Sequence, residues 1–177
     1  MSTHKPRRLG RNKQRREERI IYPQDMSWEC TRCAKCCGDT PDHIRRILLL
    51  DAEAEHISRQ TGAQITHFAE AIDDADSYTL VMRKKEGHCI FLKEGACRIY
   101  EVRPLVCRFY PVWLKNEGSH NIFGIDDSCS GFGKGRCLDR DYYVSLLRLA
   151  QARFVEAGSR SPPNGPPASR PRLVSPK

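Results

Sequence analysis

The chain has 177 residues and nine cysteines, and its hydrophobic fraction of 39% is modest for a globular protein. No run approaches the ~20 consecutive apolar residues of a membrane helix. No apolar stretch follows the basic N-terminus, as a secretory signal peptide would require. These features argue against an integral membrane protein and against an oxidising compartment, so we expect a cytoplasmic protein. Thiols in a reducing cytoplasm bind metal or carry out redox chemistry more often than they form disulfides.

The net charge of +8 is concentrated at the two ends of the chain. Residues 1–19 carry +6 and residues 157–177 carry +4, which leaves −2 for the body between them. Six of the 11 prolines lie in the last 20 residues, a composition that cannot build a packed core. The predicted organisation is a basic disordered arm at 1–22, a cysteine-cluster domain at 23–157 with its core motif at 30–129, and a Pro-rich disordered tail at 158–177.

Short apolar runs and turn residues predict the first elements of the body. The second half of His43–Leu50 has the pattern of a strand, because it is apolar and ends at Asp51. Asp51 is expected to cap a helix that ends at Gly62. A second short helix is predicted within Ile65–Ile72.

The middle of the body is predicted to consist of short strands and hairpins around one short helix. The segments are the strand Tyr78–Arg83, the hairpin of Cys89–Leu92 with Ala96–Ile99, a helix that begins after Arg103, and the hairpin of Val112–Leu114 with Asn121–Ile125.

The last predicted helix is the clearest one. Asp139 caps it and Gly158 ends it. One face carries the apolar residues Tyr143, Leu146, Leu147, Ala150 and Phe154. The elements together predict an α+β fold, in which a small domain of short strands, hairpins and a few helices ends in an amphipathic helix and is flanked by disordered basic tails. Because apolar area is limited for this length, we expect bound metal to stabilise the fold.

The first cysteine cluster is Cys30-Thr-Arg-Cys33-Ala-Lys-Cys36-Cys37. Two successive Cys-x-x-Cys steps present three thiolates to one metal centre, as in the cysteine run of bacterial ferredoxins. The adjacent Cys37 cannot easily share that direction, so it serves either a second metal or another edge of the same cluster. Four cysteines within eight residues make a set of buried structural thiols a poor explanation.

The second cysteine cluster is spread along the chain and consists of Cys89, Cys97, Cys107 and Cys129. The predicted hairpin brings the first two of these together. The eight cysteines divide either into two four-thiolate sites or into one site with an additional catalytic or redox group. Cys137 follows them as a spare thiol or an alternative ligand.

Three arginines lie among these later cysteines, namely Arg98, Arg103 and Arg108. Metal centres held by four thiolates are anionic, so we predict that the arginines offset this charge and donate hydrogen bonds around the metal. Ordinary surface pairing with Glu94 and Glu101 is the alternative.

The order of these motifs resembles the YkgJ-type cysteine-cluster family, also called the CxxCxxCC family of zinc- or iron-chelating domains. The matching motifs are Cys30-x-x-Cys33-x-x-Cys36-Cys37, Cys89-x-Phe91-Leu92, Cys97-x-Ile99-Tyr100, Arg103-Pro104-x-x-Cys107-Arg108 and Tyr110-Pro111. The resemblance implies an iron–sulfur or zinc protein, and some flagellin lysine N-methylases carry the same domain. The chain departs from the family at Ala34, where glycine is usual, and at Ile90, where proline is usual.

Other features of the sequence have ordinary explanations. The segment Ser130–Gly135 lacks the spacing of a phosphate-binding loop, and its glycines are expected to let Cys129 reach the metal. The aspartates of residues 73–76 lack the spacing of a calcium loop and predict a solvated acidic turn. His88 is expected to be an exposed histidine in a turn.

Three functions are consistent with these residues. The leading one is coordination of an iron–sulfur cluster, zinc or both by the eight cysteines, for electron transfer or redox chemistry with a partner protein. The second is a structural zinc module whose basic N-terminal arm docks on nucleic acid or the ribosome, although such an arm is often only solubilising. The third, a protein-modifying enzyme such as a lysine methylase, is suggested by the family relatives alone. No membrane partner is expected.

Overall fold

A computed structural model of the protein describes residues 19–41, 43–72 and 77–158. The acidic turn, the basic arm up to residue 18 and the Pro-rich tail from residue 159 lie outside these ranges. Within them, none of the helices has the length and apolar content needed to cross a bilayer.

The described part of the chain is a mixture of helices and small sheets, which confirms the predicted α+β class. The helices are α1 (Asp51–Thr61), α2 (Ile65–Phe68), α3 (Leu105–Phe109) and α4 (Arg140–Glu156), with 3-10 turns at Lys35–Cys37 and Tyr100–Val102. The strands are β1 (Ile20–Ile21), β2 (Ser27–Trp28), β3 (Leu48–Leu49), β4 (Ala69–Ala71), β5 (Leu80–Met82), β6 (Lys84–Lys85), β7 (His88–Cys89), β8 (Leu92–Lys93), β9 (Ala96–Cys97), β10 (Val112–Glu117), β11 (His120–Ile125) and β12 (Phe132–Cys137).

The strands form two three-stranded sheets and three two-stranded sheets in the described residues. Their orders are β1-β11-β10, β3-β5-β4, β12-β2, β6-β7 and β8-β9. Strand β1 runs parallel to β11, with Ile20 beside Asn121. Ile20 and Ile21 lie within residues 1–22, the segment that the sequence analysis assigns to the N-terminal arm.

Helix α1 begins one residue earlier than the predicted cap requires. Asp51 is the first helical residue, and the cap position belongs to Leu50. The carboxylate of Asp51 accepts the hydroxyl of Thr79 at 2.6 Å. Glu53 provides the side-chain hydrogen bond at the helix start instead, because its carboxylate accepts the N–H of Leu50 at 3.1 Å. The predicted end of the helix is confirmed, since Gly62 adopts a left-handed conformation there.

Helix α2 is shorter than predicted. It ends at Phe68, and the chain continues directly as β4, which pairs with β5. The residues from Ala69 onward therefore satisfy their backbone groups in a sheet rather than in a helix, which is a tertiary preference.

Helix α4 confirms the sequence pattern. Asp139 caps it by accepting the N–H of Tyr142 at 2.9 Å. The five predicted apolar positions are all buried, and they pack against α3 and the β10–β11 hairpin in the first hydrophobic cluster of the core. Burial of each large apolar side chain contributes about 1.5–3 kcal/mol, so this helix secures one side of the domain.

The single hairpin predicted at residues 89–99 is two hairpins in the structure. Strands β8 and β9 pair around Glu94 and Gly95, as predicted. Cys89 instead belongs to β7, which pairs with β6 and places Lys84 opposite Cys89. The turn at Glu86 and Gly87, both at positive φ, creates this additional hairpin.

The second hydrophobic cluster lies beneath α1 and supports the cysteine-bearing segments. It contains Ile57 of α1, Phe68 of α2 and Met82 of β5. Four cysteines belong to this cluster or pack against it, namely Cys37, Cys89, Cys97 and Cys107. The core thus places thiols from a 3-10 turn, two hairpins and α3 on one side of the domain.

Candidate metal centre

One cavity brings the two cysteine clusters together. It has a volume of about 150 Å³. Eight of the nine cysteines line it, and these are Cys30, Cys33, Cys36, Cys37, Cys89, Cys97, Cys107 and Cys129. All nine cysteines are free thiols. Cys137 is exposed at the end of β12 and does not line the cavity.

The CxxCxxCC run coils back on itself because two of its residues are left-handed. Arg32 and Ala34 have φ of 53° and 60°, and the N–H of Cys37 donates to the carbonyl of Ala34 at 2.8 Å. These reversals let all four thiols of the run line the same cavity. The left-handed conformation costs a residue with a Cβ about 1–2 kcal/mol, and this explains why glycine suits the position of Ala34.

The loop that follows β11 is attached to the first half of the run through sulfur. The indole Nε1 of Trp28 donates to the Sγ of Cys129 at 3.4 Å. The hydroxyl of Ser130 donates to the Sγ of Cys33 at 3.0 Å. This hydroxyl also lies 3.0 Å from that of Thr31. Cys129 is thereby held beside thiols that precede it by almost 100 residues.

A close backbone contact completes this attachment. The N–H of Glu29 donates to the carbonyl of Gly131 at 3.2 Å. A Cβ on Gly131 would lie 2.1 Å from the carbonyl oxygen of Glu29. Only glycine at position 131 therefore allows the two backbone segments to come this close. The glycine-rich segment that follows forms strand β12 against β2, which gives it a defined position next to Cys129.

The thiols differ in their readiness to ionise. The thiol of Cys37, whose Sγ lies 4.0 Å from that of Cys36, lowers the pKa of Cys36 to about 7. The charges of Arg45 and Arg103 act in the same direction. By donating to Cys36, the Cys37 thiol has its own pKa raised. The hydroxyl of Ser130 likewise lowers the pKa of Cys33, so the metal-free cavity favours ionisation at Cys36 and Cys33.

Burial opposes ionisation at the thiols of the later segments. It raises the pKa of Cys89, of Cys97 and, most strongly, of Cys107. A bound metal cation reverses this preference, because a coordinating thiol is deprotonated. Thiolates that are costly without a cation nearby are suited to holding one.

The three predicted arginines have different environments. Arg103 lines the cavity, and its guanidinium stacks 3.8 Å from the ring centre of Tyr100. Arg98 is instead paired with Glu94 at 2.8 Å on the surface. Arg108 donates to the backbone carbonyls of Arg103, at 2.9 Å, and of Glu101. Arg98 and Arg108 do not line the cavity. Their predicted role beside the metal therefore stays a prediction.

The sequence analysis missed Arg45. Its guanidinium stacks 4.4 Å from the ring centre of Tyr110, a residue of the cavity wall. Its backbone N–H donates to the carboxylate of Asp39 at 2.7 Å, and Asp39 follows Cys37 by two residues in the chain. Its Nε is buried without a hydrogen-bond partner in the described structure. No local pattern marks this arginine, because only the folded chain brings it to the cysteines.

The donor set fits a metal held by thiolates. Eight soft sulfur ligands surround one cavity, and the buried Nε of Arg45 is a donor that lacks an acceptor. The thiols surround the space without converging on one point. Among the described residues, no three Cys, His, Asp or Glu side chains are already arranged around a single ion position. Metal binding therefore involves movement of thiol side chains toward the centre of the cavity.

Known proteins provide an independent comparison. The uncharacterised protein MJ0661 of Methanocaldococcus jannaschii is 27% identical over 148 residues, which cover 77% of this chain and 76% of that protein. No solved structure matches the chain. Residues 29–130 match the family described as "CxxCxxCC: Putative zinc- or iron-chelating domain". This match spans every cysteine of the cavity and more than half of the sequence. The chain therefore belongs to the CxxCxxCC family.

Proposed function

We propose that this protein is a cytosolic metal-binding protein that coordinates an iron–sulfur cluster, zinc or both through its eight cavity cysteines. Its role is to exchange electrons with a partner protein. The observation that carries the proposal is the convergence of eight thiols from separate segments on one cavity. Thiols without a common function would be scattered over the surface rather than gathered around one cavity. The eight cavity thiols are all free of disulfides.

The residues around the thiols suit a site that must retain an anionic metal centre. Arg32 and Arg103 line the cavity and Arg45 lies beside it, so these three cations offset the charge of the thiolates. Trp28 donates to the sulfur of Cys129, and Ser130 donates to the sulfur of Cys33 and lowers the pKa of that thiol. When bound, an iron–sulfur cluster supplies one-electron redox chemistry. The aromatic rings of Tyr100 and Tyr110 in the cavity wall limit the entry of water.

Iron–sulfur is favoured over zinc by the spacing of the first run. Two successive Cys-x-x-Cys steps are typical of ligands to a cubane cluster. Zinc is bound by the same soft thiolates, usually four to an ion. With zinc alone, the metal would be a structural component. The partner would then be sought at the basic N-terminal arm, as a nucleic acid or the ribosome.

The test is anaerobic purification followed by a visible spectrum, metal analysis and an assay for acid-labile sulfide on one sample. We expect a brown protein that contains iron and sulfide. A colourless protein with bound zinc and no sulfide would contradict the redox role while retaining metal binding. A protein without bound metal, which also takes up none after anaerobic reconstitution, would contradict the proposal as a whole.

Two variants make this test specific for the cavity. Cys36→Ser removes a cavity thiol, and we expect it to lower metal content strongly. Cys137→Ser is the matched control, because this thiol is exposed and lies outside the cavity. Equal loss of metal in both variants would contradict the assignment of the site.

A further inference from the structure

The cavity of the cysteines meets solvent at two segments of the chain. Most residues of its wall are buried or half-buried. The exposed ones are residues 30–33, in the first half of the CxxCxxCC run, together with Gly95 and Ala96, at the tip of the β8–β9 hairpin. We refer to these six residues as the cavity opening. A partner protein that exchanges electrons with the metal centre approaches it most closely here.

Positive charge surrounds the cavity opening. Residues 30–37 and 92–98, which contain both of its segments, hold four cations and one acid. Their net charge is therefore +3, whereas residues 20–156 as a whole carry −2. The four cations are all exposed, and we call them the basic rim, which consists of Arg32, Lys35, Lys93 and Arg98. The rim is thus a positive surface on a body whose overall charge is negative.

Most of the charge on the basic rim is not neutralised within the folded chain. One member has an ion pair among the described residues, namely Arg98 with Glu94 at 2.8 Å. The other three are without an acidic partner there. Glu29, which directly precedes the run, is turned to β12, where its Oε2 would lie 3.1 Å from a Cβ on Gly135. Exposed cations without an internal partner can pair with the acidic groups of another molecule.

The fold holds these cations on both sides of the opening. Lys93 of β8 pairs in register with Ala96 of β9. Lys35 begins the 3-10 turn within the run, on the other side. The guanidinium of Arg32 lies 5.1 Å from the ring centre of Tyr100 in the cavity wall. The rim therefore presents its charges from defined backbone positions.

We propose that the basic rim is the docking surface for an acidic face of the redox partner protein. This inference rests on the proposed function. Electron-transfer complexes have small and weak interfaces, and attraction between opposite charges raises the rate at which such partners meet. A nucleic acid is another polyanion that a basic surface attracts. A partner protein is favoured because the cations flank the opening to the metal centre and do not form a stripe along which a strand could lie.

Stopped-flow kinetics with two electron carriers of opposite charge test the proposal on the full-length, iron-loaded protein. An acidic flavodoxin in its hydroquinone form gives one electron to a ferric iron of the protein, and its flavin becomes the semiquinone. Basic cytochrome c accepts one electron from a ferrous iron of the reduced protein at its ferric haem. We expect the rate with flavodoxin to fall as salt is added and the rate with cytochrome c to rise.

A double variant, Lys35→Glu with Lys93→Glu, locates this effect at the rim. Neither lysine lines the cavity, so the iron content should be unchanged. We expect the flavodoxin rate at low salt to fall about 10-fold and the cytochrome c rate to rise. Arg59→Glu with Arg148→Glu is the matched control, because it changes the total charge equally at exposed helical positions that do not line the cavity.

Each other outcome overturns a specific part of the inference. Equal slowing by the two double variants would mean that total charge alone acts, which would overturn the docking surface. A flavodoxin rate insensitive to salt and to the lysine variant would overturn the acidic partner. If the lysine variant loses affinity for a labelled oligouridine and keeps its flavodoxin rate, the surface binds nucleic acid instead. A wild type without iron that exchanges electrons with neither carrier would overturn the proposed function itself, and metal analysis of the same sample distinguishes this failure.

Discussion

The carboxylate of Glu53 in α1 accepts the backbone N–H of Leu105, the first residue of α3, at 2.6 Å. The same carboxylate accepts the N–H of Leu50, so one buried side chain joins the start of α1 to the helix that carries Cys107. Glu53 is 8% exposed. A buried acceptor of two backbone donors is a structural connection between the core and the metal-binding segment.

This connection predicts a specific dependence of stability on pH. Burial raises the pKa of Glu53 above its ordinary value of 4.5, against the opposing effect of the two N–H donors. Between 4.5 and the raised pKa, the folded state therefore holds more protons than the unfolded state. The contribution of Glu53 to the free energy of unfolding is then largest below pH 4.5 and falls as the pH rises through that window.

Urea denaturation of the wild type and Glu53→Gln at several pH values measures this contribution. Terms common to both proteins, metal binding included, cancel in the difference between their free energies of unfolding. We expect the wild type to lose stability relative to Glu53→Gln as the pH rises above 4.5. Gln60→Ala, at an exposed position of the same helix, removes no titratable group, so it is the control and should give a flat difference. A difference that grows in favour of the wild type at higher pH would contradict the prediction.

Ala34→Gly is expected to stabilise the protein by about 0.5–1 kcal/mol, because φ of 60° strains any residue with a Cβ. Urea denaturation of the metal-loaded proteins provides the measurement. Ala52→Gly within α1 is the matched control and should have the opposite sign, with a loss of about 1 kcal/mol. Destabilisation by Ala34→Gly would show that this position has another conformation.

Gly131→Ala is expected to detach the loop of Cys129 from the first half of the cysteine run. Its Cβ would lie 2.1 Å from a backbone oxygen, which cannot rotate away as a side chain does. We predict a lower metal content and faster alkylation of Cys129 in the metal-loaded protein. Gly133→Ala is the control, because it strains the backbone at positive φ while its Cβ meets nothing within 4 Å. Comparison of the two variants separates the effect of backbone strain from that of displacing the loop. If both variants retain full metal, the contact of Gly131 has no role in the site.

Arg45→Gln is expected to weaken metal binding about 10–100-fold. This range is typical of residues that orient the metal ligands without binding the metal themselves. The variant removes a cation beside Cys36 and a buried donor that lacks a partner. Arg45→Lys should restore part of the affinity, since it keeps the charge and loses the planar donor geometry. Competition with a chromogenic chelator gives the affinities.

Arg98→Gln is the control for this experiment. Arg98 is paired with Glu94 at the surface, where an ion pair contributes about 0–1 kcal/mol. We expect unchanged metal affinity. An effect as large as that of Arg45→Gln would mean that Arg98 acts at the metal after all, as the sequence analysis predicts.

The sequence alone determined much of the local structure and the chemistry of the site. The cysteine spacing predicts a thiolate metal centre, because two successive Cys-x-x-Cys steps present three thiolates to one centre. The period of α4, with its cap at Asp139, predicts a helix that packs one face on the core. The β8–β9 and β10–β11 hairpins also follow from residues within a few positions of each turn.

Only the tertiary structure decided which residues surround that centre. Arg45 is held beside the cavity by Asp39 and Tyr110, and Cys129 reaches the cavity through Trp28. The second hydrophobic cluster places four of the thiols, namely Cys37, Cys89, Cys97 and Cys107. These contacts join residues distant in the chain, and their energy comes from packing and burial that no local pattern encodes.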